Sequence, residues 1–340
     1  MEQRKEWVDI AKAIGIVLVV YGHGMRGLEK AGIWTNKDSF VFIDSLIYSF
    51  HMPLFFFLSG LFIYDSLERK GKVSFLRSKL DTIFYPYLLW SILQGSIEVA
   101  LSNYTNGSVD FQAVFSFLWA PRAQFWFLYA LFFISIISML MIGNRTRLYV
   151  WSALCLGAYL TGQPDLLNLH YVTDNMVFLM LGVVFSRLQS NTLPNYATFI
   201  SLLTFGVLYY LSGTAELDSN ISINLSEFVL AISGITVVLS ISQQLSKHSH
   251  PVLEFIGRSS MAIYLMHILA GSGVRVLLAK ILHIQDIYVH AFLGTVLGII
   301  LPLIGLIVIK KLAIPFVFSA PMSQILISPL NLASSHRRAQ

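Results

Sequence analysis

Long apolar stretches separated by short polar segments dominate the chain. A helix needs about 20 mostly apolar residues to span the hydrocarbon core of a bilayer. Ten segments approach that requirement: 7–25, 41–64, 80–101, 124–142, 148–163, 171–188, 196–213, 225–245, 259–281 and 289–312. The pattern predicts an all-α fold, a polytopic transmembrane bundle of about ten spanning helices. Residues 1–312 would form the transmembrane domain, and 313–340, interrupted by three prolines, a cytoplasmic C-terminal tail.

The composition supports lipid as the main solvent. The 340-residue chain is 56% hydrophobic and only 12% charged, whereas about 25% of the residues in a soluble domain are charged. Cys155 is the only cysteine, which excludes an intramolecular disulfide and a cysteine-based metal site. The net charge of +5 is modest and forms no basic cluster interleaved with aromatics, so no nucleic-acid partner is expected.

The positions of Lys and Arg predict the orientation. With the N-terminus in the cytoplasm, sixteen Lys and Arg residues fall on the cytoplasmic side, five fall on the other side, and two lie inside helices. Cytoplasmic loops of membrane proteins carry an excess of these residues. We therefore expect both termini in the cytoplasm and the chain in a bacterial inner membrane.

The first apolar segment carries three ionisable residues on one helical face. Lys12 and His23 are eleven residues apart, which corresponds to three turns and about 16 Å along a helix axis. Asp9 precedes Lys12 by three residues and joins that face. Ionisable residues inside a membrane usually face a cavity or the bundle interior. The structural alternatives are an interfacial Asp9–Lys12 pair with a snorkelling lysine, and a packed, hydrogen-bonded histidine.

Two further stretches carry polar residues. His51 lies in the middle of the second apolar segment, immediately before Met52 and Pro53. A basic amphipathic stretch containing Arg77 then leads into the third segment. Such residues can bind anionic lipid headgroups or hold a phosphorylated cofactor.

Several motifs together resemble the membrane acyltransferase-3 family. They are the basic residue and histidine of the first helix, FHMPLFFFLSGLF, FLRSKLDTIFYPYLLW, QFWFLYALF and SSMAIYLMH. The resemblance covers about residues 4–310 and is greatest with the bacterial branch that O-acetylates extracellular or lipid-linked glycans. Many members have arginine where this chain has Lys12, and lysine keeps the charge but lacks the planar fork.

The resemblance implies a cytoplasmic acyl-CoA donor, usually acetyl-CoA, and an acceptor hydroxyl on the opposite side. His23 would act as general base or as an acylated intermediate, with Lys12 and Asp9 beside the reaction path. Donor binding is expected at Arg77, Lys79, Ser59, Tyr85, Arg145, Arg147 and His267. Acceptor binding is expected at His51, Glu98, Trp126 and Arg275. No histidine pair has convincing metal spacing, so no metal is expected.

Two other functions compete with this interpretation. A proton-coupled transporter or polysaccharide exporter would use Asp9, His23 and Glu98 as a proton relay. A membrane scaffold would leave the shared face of Lys12 and His23 unexplained. As partners we expect acyl-CoA, a glycan or lipid-linked saccharide, membrane lipid and the machinery of polysaccharide synthesis.

Overall fold

The computed structural model describes residues 6–100, 115–162, 169–188, 192–194, 196–212 and 219–326. These ranges are mostly helical and contain no strand, which confirms the all-α prediction for them. The α-helices are α1 (Glu6–Lys30), α2 (Lys37–Tyr48), α3 (His51–Lys79), α4 (Tyr85–Ala100), α5 (Trp126–Met141), α6 (Arg145–Thr161), α7 (His170–Ser186), α8 (Tyr196–Ser212), α9 (Asn220–Leu245), α10 (Pro251–Arg258), α11 (Ser260–Val276) and α12 (Ile287–Lys311). Short π-helical turns follow α3 at Leu80–Phe84 and α11 at Leu277–Ile281.

Six segments of the described chain are long and apolar enough to cross a membrane. They are Glu6–Lys30, Lys37–Ala100, Ala123–Met141, Asn220–Leu245, Ser260–Ile281 and Ile287–Lys311. The helices α7 and α8 are also apolar but have only 17 residues each. The chain is therefore a multi-pass membrane protein, while the count of ten spans and the side of each terminus remain predictions.

The segment Lys37–Ala100 contains two of the predicted spans and changes direction within its length. Gly71 has φ 69° and ψ 165°, a conformation that glycine adopts without steric cost. The chain changes direction at this point. The Lys70 Nζ before the bend donates a hydrogen bond to the Ser78 Oγ after it, at 3.0 Å. The reversal at Gly71 separates the two predicted spans at 41–64 and 80–101 within the segment Lys37–Ala100.

Helices α3 and α7 cross at backbone contact. A Cβ atom on Gly60 would overlap the carbonyl of Leu179, and one on Gly182 would overlap the carbonyl of Phe57. Small residues allow this close approach, which drives helix association in lipid. The crossing fixes α3, the helix that carries His51 and Ser59.

Helix α1 lies at the centre of the bundle. It packs against α3 and against α9 to α12, and Gly257 of α10 leaves room for the backbone carbonyl of Asp9. The Asp9 residue is only 5% exposed. Asp9 therefore faces protein rather than lipid, as expected for a costly group within a membrane, whereas Glu6 and Lys30 at the two ends of α1 are exposed.

The chain after α12 is docked on α4 and on the turn that precedes it. The Asp81 carboxylate accepts hydrogen bonds from the backbone N and the Oγ of Ser323 at 2.7 and 2.9 Å. The Trp90 indole N–H donates to the Val317 carbonyl at 2.9 Å. Residues 313–326 of the predicted tail thus pack against the bundle, residues 327–340 lie outside the described part, and the domain boundary at 312 remains a prediction.

Candidate functional site

Two histidines from α1 and α11 meet in the bundle interior. The ring centroids of His23 and His267 lie 5.2 Å apart. The His267 Nδ1 is 2.7 Å from the Tyr264 carbonyl oxygen. Because a carbonyl only accepts, Nδ1 carries the proton of the neutral ring and Nε2 has a free lone pair. That Nε2 is buried and has no hydrogen-bond partner in the described structure, so it is available to a group beside His23.

Tyr48 contacts the histidine pair from the end of α2. Its ring lies edge-on to His23, with centroids 6.3 Å apart, and edge-on to His51, with centroids 4.4 Å apart. The Tyr48 hydroxyl and the His51 Nε2 are both buried without a partner among the described residues. The His51 Nδ1 is 2.8 Å from the Ile47 carbonyl, so its Nε2 is also an acceptor in the neutral ring.

An ion pair holds Tyr48 in this position. The Arg26 guanidinium lies over the Tyr48 ring, 3.2 Å from its centroid. The same guanidinium binds both Asp44 carboxylate oxygens, at 2.6 and 2.9 Å. Bidentate pairs of this kind restrict geometry as well as adding energy. Arg26 and Asp44 therefore fasten the end of α2 to α1 next to His23.

One cavity of about 290 Å³ lies beside α1 and α3 and is here called the basic cavity. The polar part of its lining includes Lys12, Ser59, Lys79 and Thr82, and Tyr264 forms part of its wall. The Lys12 Nζ is also 5.5 Å from the centroid of the Phe62 ring. This cavity combines positive charge with apolar walls, which suits an anionic ligand with an apolar arm.

A second, larger space of about 1210 Å³ opens between α2, α7, α8 and α9 and is here called the aromatic cleft. Its lining includes the aromatic residues Tyr48, Trp126, Tyr159 and Tyr209. It also includes three carboxylates, those of Asp38, Asp174 and Glu227. Met52 lines both the cleft and the basic cavity, so the two spaces adjoin.

The structure brings together only part of the predicted donor site. Lys12, Ser59 and Lys79 line the basic cavity, but His267 is not among the described residues of its wall. His267 instead lines a pocket of about 50 Å³ that it shares with His23 and Arg275. The Arg275 Nη1 donates to the Gly27 carbonyl at 2.7 Å, which ties α11 to α1.

The other predicted donor residues lie outside the described wall of the basic cavity. The Arg77 Nε is buried and has no hydrogen-bond partner among the described residues. The Tyr85 hydroxyl donates to the Phe316 carbonyl at 2.8 Å. Arg145 and Arg147 are exposed. Arg145 donates to the Tyr149 hydroxyl at 3.2 Å, and Arg147 to a backbone carbonyl. Their roles in donor binding stay predictions.

Of the remaining predicted acceptor residues, Trp126 lines the aromatic cleft and Glu98 does not appear among its described lining. The Trp126 ring stacks on Tyr171, with centroids 5.2 Å apart. Glu98 accepts a hydrogen bond from the Gln94 Nε2 at 2.9 Å and pairs with Arg122 at 3.6 Å. These contacts place Glu98 in a polar network between α4 and the segment that precedes α5.

Sequence reasoning missed Tyr48, Arg26, Asp44 and His290, although a signal for three of them exists. Arg26 follows His23 by three residues on α1, and Asp44 precedes Tyr48 by four on α2, which are the spacings of helical neighbours. His290 lines the small pocket with His23, and its Nε2 is 2.8 Å from the Ile284 carbonyl. Over the described ranges, no three His, Cys, Asp or Glu side chains cluster as metal ligands would.

Comparison with known proteins gives one match over nearly the whole chain. The model of the acyltransferase-3 family, described as an acyltransferase domain, matches residues 5–311. The nodulation protein NolL of Sinorhizobium fredii is 32% identical over 127 residues, which cover 34% of this chain and 34% of that protein. NolL of Mesorhizobium japonicum is 28% identical over 149 residues, or 42% of this chain and 37% of that protein. The chain thus spans about a third of the length of these relatives. No solved structure matches it.

Proposed function

We propose that this chain, which belongs to the acyltransferase-3 family, is an integral-membrane O-acyltransferase. It moves an acyl group, in our proposal acetyl, from cytoplasmic acyl-CoA to a hydroxyl of an extracytoplasmic or lipid-linked glycan. One observation carries the proposal: the His23–His267 pair contacts a residue of each space, Tyr264 of the basic cavity and Tyr48 of the aromatic, acidic cleft. The basic cavity suits an anionic donor, the aromatic cleft suits a sugar acceptor, and a base that contacts both could join the two substrates.

A chain of contacts links the two spaces through the histidines. Tyr264 lines the basic cavity, and its carbonyl accepts from His267. His267 lies beside His23, and His23 lies beside Tyr48, which lines the cleft. An acyl group that enters from the basic cavity and a hydroxyl that enters from the cleft would therefore meet at His23.

The basic cavity suits the narrow end of an acyl-CoA. Its volume of about 290 Å³ is at the lower end of the roughly 300–1,000 Å³ of typical ligand sites. It accommodates the thioester and the pantetheine arm, and the nucleotide end remains outside. Lys12 and Lys79 act as point charges for the anionic donor, and Arg77 is a further candidate for its phosphates.

His23 acts as the general base in this mechanism. It takes the proton of the acceptor hydroxyl while the oxygen attacks the thioester carbonyl. A C–O ester bond forms, the C–S bond breaks, and the leaving CoA thiolate receives the proton from the imidazolium. The free lone pair on the His267 Nε2 orients the His23 ring or accepts its proton. Acylation of His23 itself remains the alternative, and retention of labelled acetyl on the protein without acceptor distinguishes the two.

The transporter interpretation has weaker support. It requires proton transfer from Asp9 and His23 to Glu98. The contacts of Glu98 are with Gln94 and Arg122, whereas the neighbours of His23 are His267 and Tyr48. A relay through Glu98 would need a connection other than these.

Calorimetric binding of acetyl-CoA to the purified protein in detergent tests the proposal. We expect binding that survives His23→Gln, because the base is not needed to hold the donor. Lys79→Gln should raise Kd at least tenfold, which corresponds to about 1.4 kcal/mol. Lys247→Gln, at an exposed lysine after α9, is the matched control and should leave Kd unchanged. Absence of binding of any short acyl-CoA to folded wild-type protein would overturn the donor assignment.

A further inference from the structure

We infer that the aromatic cleft is the acceptor site and that its carboxylates select neutral or amino sugars against glycans that carry phosphate or uronate. The inference rests on the proposed function and adds the class of acceptor to it. It depends on the size of the cleft, the chemistry of its wall and the end of the cleft that contacts His23.

The size and the aromatic wall suit several sugar rings. A volume of about 1210 Å³ exceeds the roughly 300–1,000 Å³ of typical small-molecule sites. The C–H faces of a sugar ring are apolar and pack on aromatic faces, which Trp126, Tyr159 and Tyr209 provide. The stack of Trp126 on Tyr171 fixes the direction of the indole.

The charge of the wall has one sign. Asp38, Asp174 and Glu227 come from three different helices, α2, α7 and α9, and converge on the same cleft. Within the described structure, no Lys, Arg or His lines it.

Ionised carboxylates are strong acceptors for sugar hydroxyls and for ammonium groups. The same carboxylates repel a phosphate or a uronate, and the repulsion grows as the surroundings exclude water. Arg26, which lies over the Tyr48 ring of the cleft wall, is already bound by both oxygens of Asp44. A negatively charged acceptor is therefore repelled in the cleft, and no cation of its described lining compensates.

One end of the cleft lies next to the proposed base. Tyr48 lines the cleft, its ring contacts both His23 and His51, and its buried hydroxyl has no partner in the described structure. An unsatisfied hydroxyl at this position can bind a sugar hydroxyl as it approaches His23. This contact does not involve the carboxylates, and it would direct the acceptor hydroxyl to His23.

The test compares binding of neutral and anionic oligosaccharides of equal length. The neutral set contains gluco- and chito-oligosaccharides, the anionic set contains oligogalacturonates, and the protein is in lipid nanodiscs with acetyl-CoA present. We expect the neutral set to bind at least tenfold more tightly. The Asp174→Asn/Glu227→Gln variant should reduce that ratio at least threefold by improving the anionic set. Glu68→Gln, at an exposed carboxylate outside the described lining of the cleft, should leave the ratio unchanged.

Two measurements keep the test decisive if the variant is poorly folded. Retained acetyl-CoA binding checks its fold, and added salt should weaken the discrimination of the wild type because salt screens charge. Equal binding of both sets, or no binding of any neutral member by protein that binds acetyl-CoA, would overturn the inference. Absence of acetyl-CoA binding by the folded wild-type protein would overturn the proposed function instead.

Discussion

The imidazole rings of His23 and His267 lie 5.2 Å apart, although they come from the first helix and from the eleventh. The hydrogen bond from the His267 Nδ1 to the Tyr264 carbonyl leaves the Nε2 lone pair free. On this basis we propose His267 as a positioning residue for the proposed base, in place of the donor-binding role expected from the sequence.

His267→Ala should lower the rate of acetyl transfer at least tenfold without changing the Kd for acetyl-CoA. The reason is that His23 loses the group that orients it, and a positioned general base contributes about 10²–10⁴-fold to a rate. Transfer is measured with labelled acetyl-CoA in membrane vesicles. His248→Ala, at an exposed loop histidine, should be as active as the wild type. An equal loss of donor binding in His267→Ala would show that His267 belongs to the donor site.

Lys12→Gln should weaken acetyl-CoA binding at least tenfold, whereas Lys12→Arg should change it less than threefold. The charge of Lys12 faces the basic cavity, and arginine preserves that charge. Titration calorimetry gives both values. Similar losses in the two variants would mean that the shape of the lysine, and not its charge, is what the donor requires.

Asp44→Asn should reduce transfer while acetyl-CoA binding persists. The change removes the carboxylate that holds Arg26 over Tyr48, so Tyr48 loses its fixed position next to His23. The cost in stability should be small, about 1 kcal/mol, because Arg26 and Asp44 are 41% and 20% exposed. Asp286→Asn, at the N-cap of α12, is a control carboxylate. A large drop in the unfolding temperature with normal residual activity would assign the pair a purely structural role.

Gly182→Ala should destabilise the bundle strongly, because a Cβ at this position overlaps the Phe57 carbonyl. Overpacking costs typically about 1–3 kcal/mol, and a clash with backbone leaves no flexible side chain to move. Gly157→Ala adds the same methyl group to α6 where nothing lies within 4 Å. The midpoints of thermal unfolding of the two variants are measured in detergent by intrinsic fluorescence, and only that of Gly182→Ala should fall. Unchanged midpoints in both variants would contradict the close crossing of α3 and α7.

The sequence predicted the helices and part of the site for a simple physical reason. Lipid requires long apolar helices, so spanning segments are visible as apolar runs. Lys12 and His23 were found because a costly ionisable residue in such a run indicates a cavity or a bundle interior. Helical spacing then predicted a shared face, and both residues line internal spaces in the structure.

The partners of His23 could not be predicted in the same way. The sequence predicted His267 at the donor site and the segment 259–281 as one regular helix. The structure has a π-helical turn at Leu277–Ile281, and helix tilt depends on packing against neighbours rather than on length. Likewise, the segment 41–64 breaks between Tyr48 and His51, so the position of the Tyr48 ring depends on a bend that hydropathy does not reveal.

The hydrogen bonds between Asp81 and Ser323 impose an order on the biosynthesis of the protein. The turn Leu80–Phe84 carries Thr82 and Ile83 into the wall of the basic cavity, but its docking partners are synthesised more than two hundred residues later. At about 5–20 residues per second, this delay lasts tens of seconds. The nascent bundle therefore inserts its first helices before the turn Leu80–Phe84 has its docking partners, and this part of the basic cavity's wall is held in place only after residues 313–326 have joined the bundle.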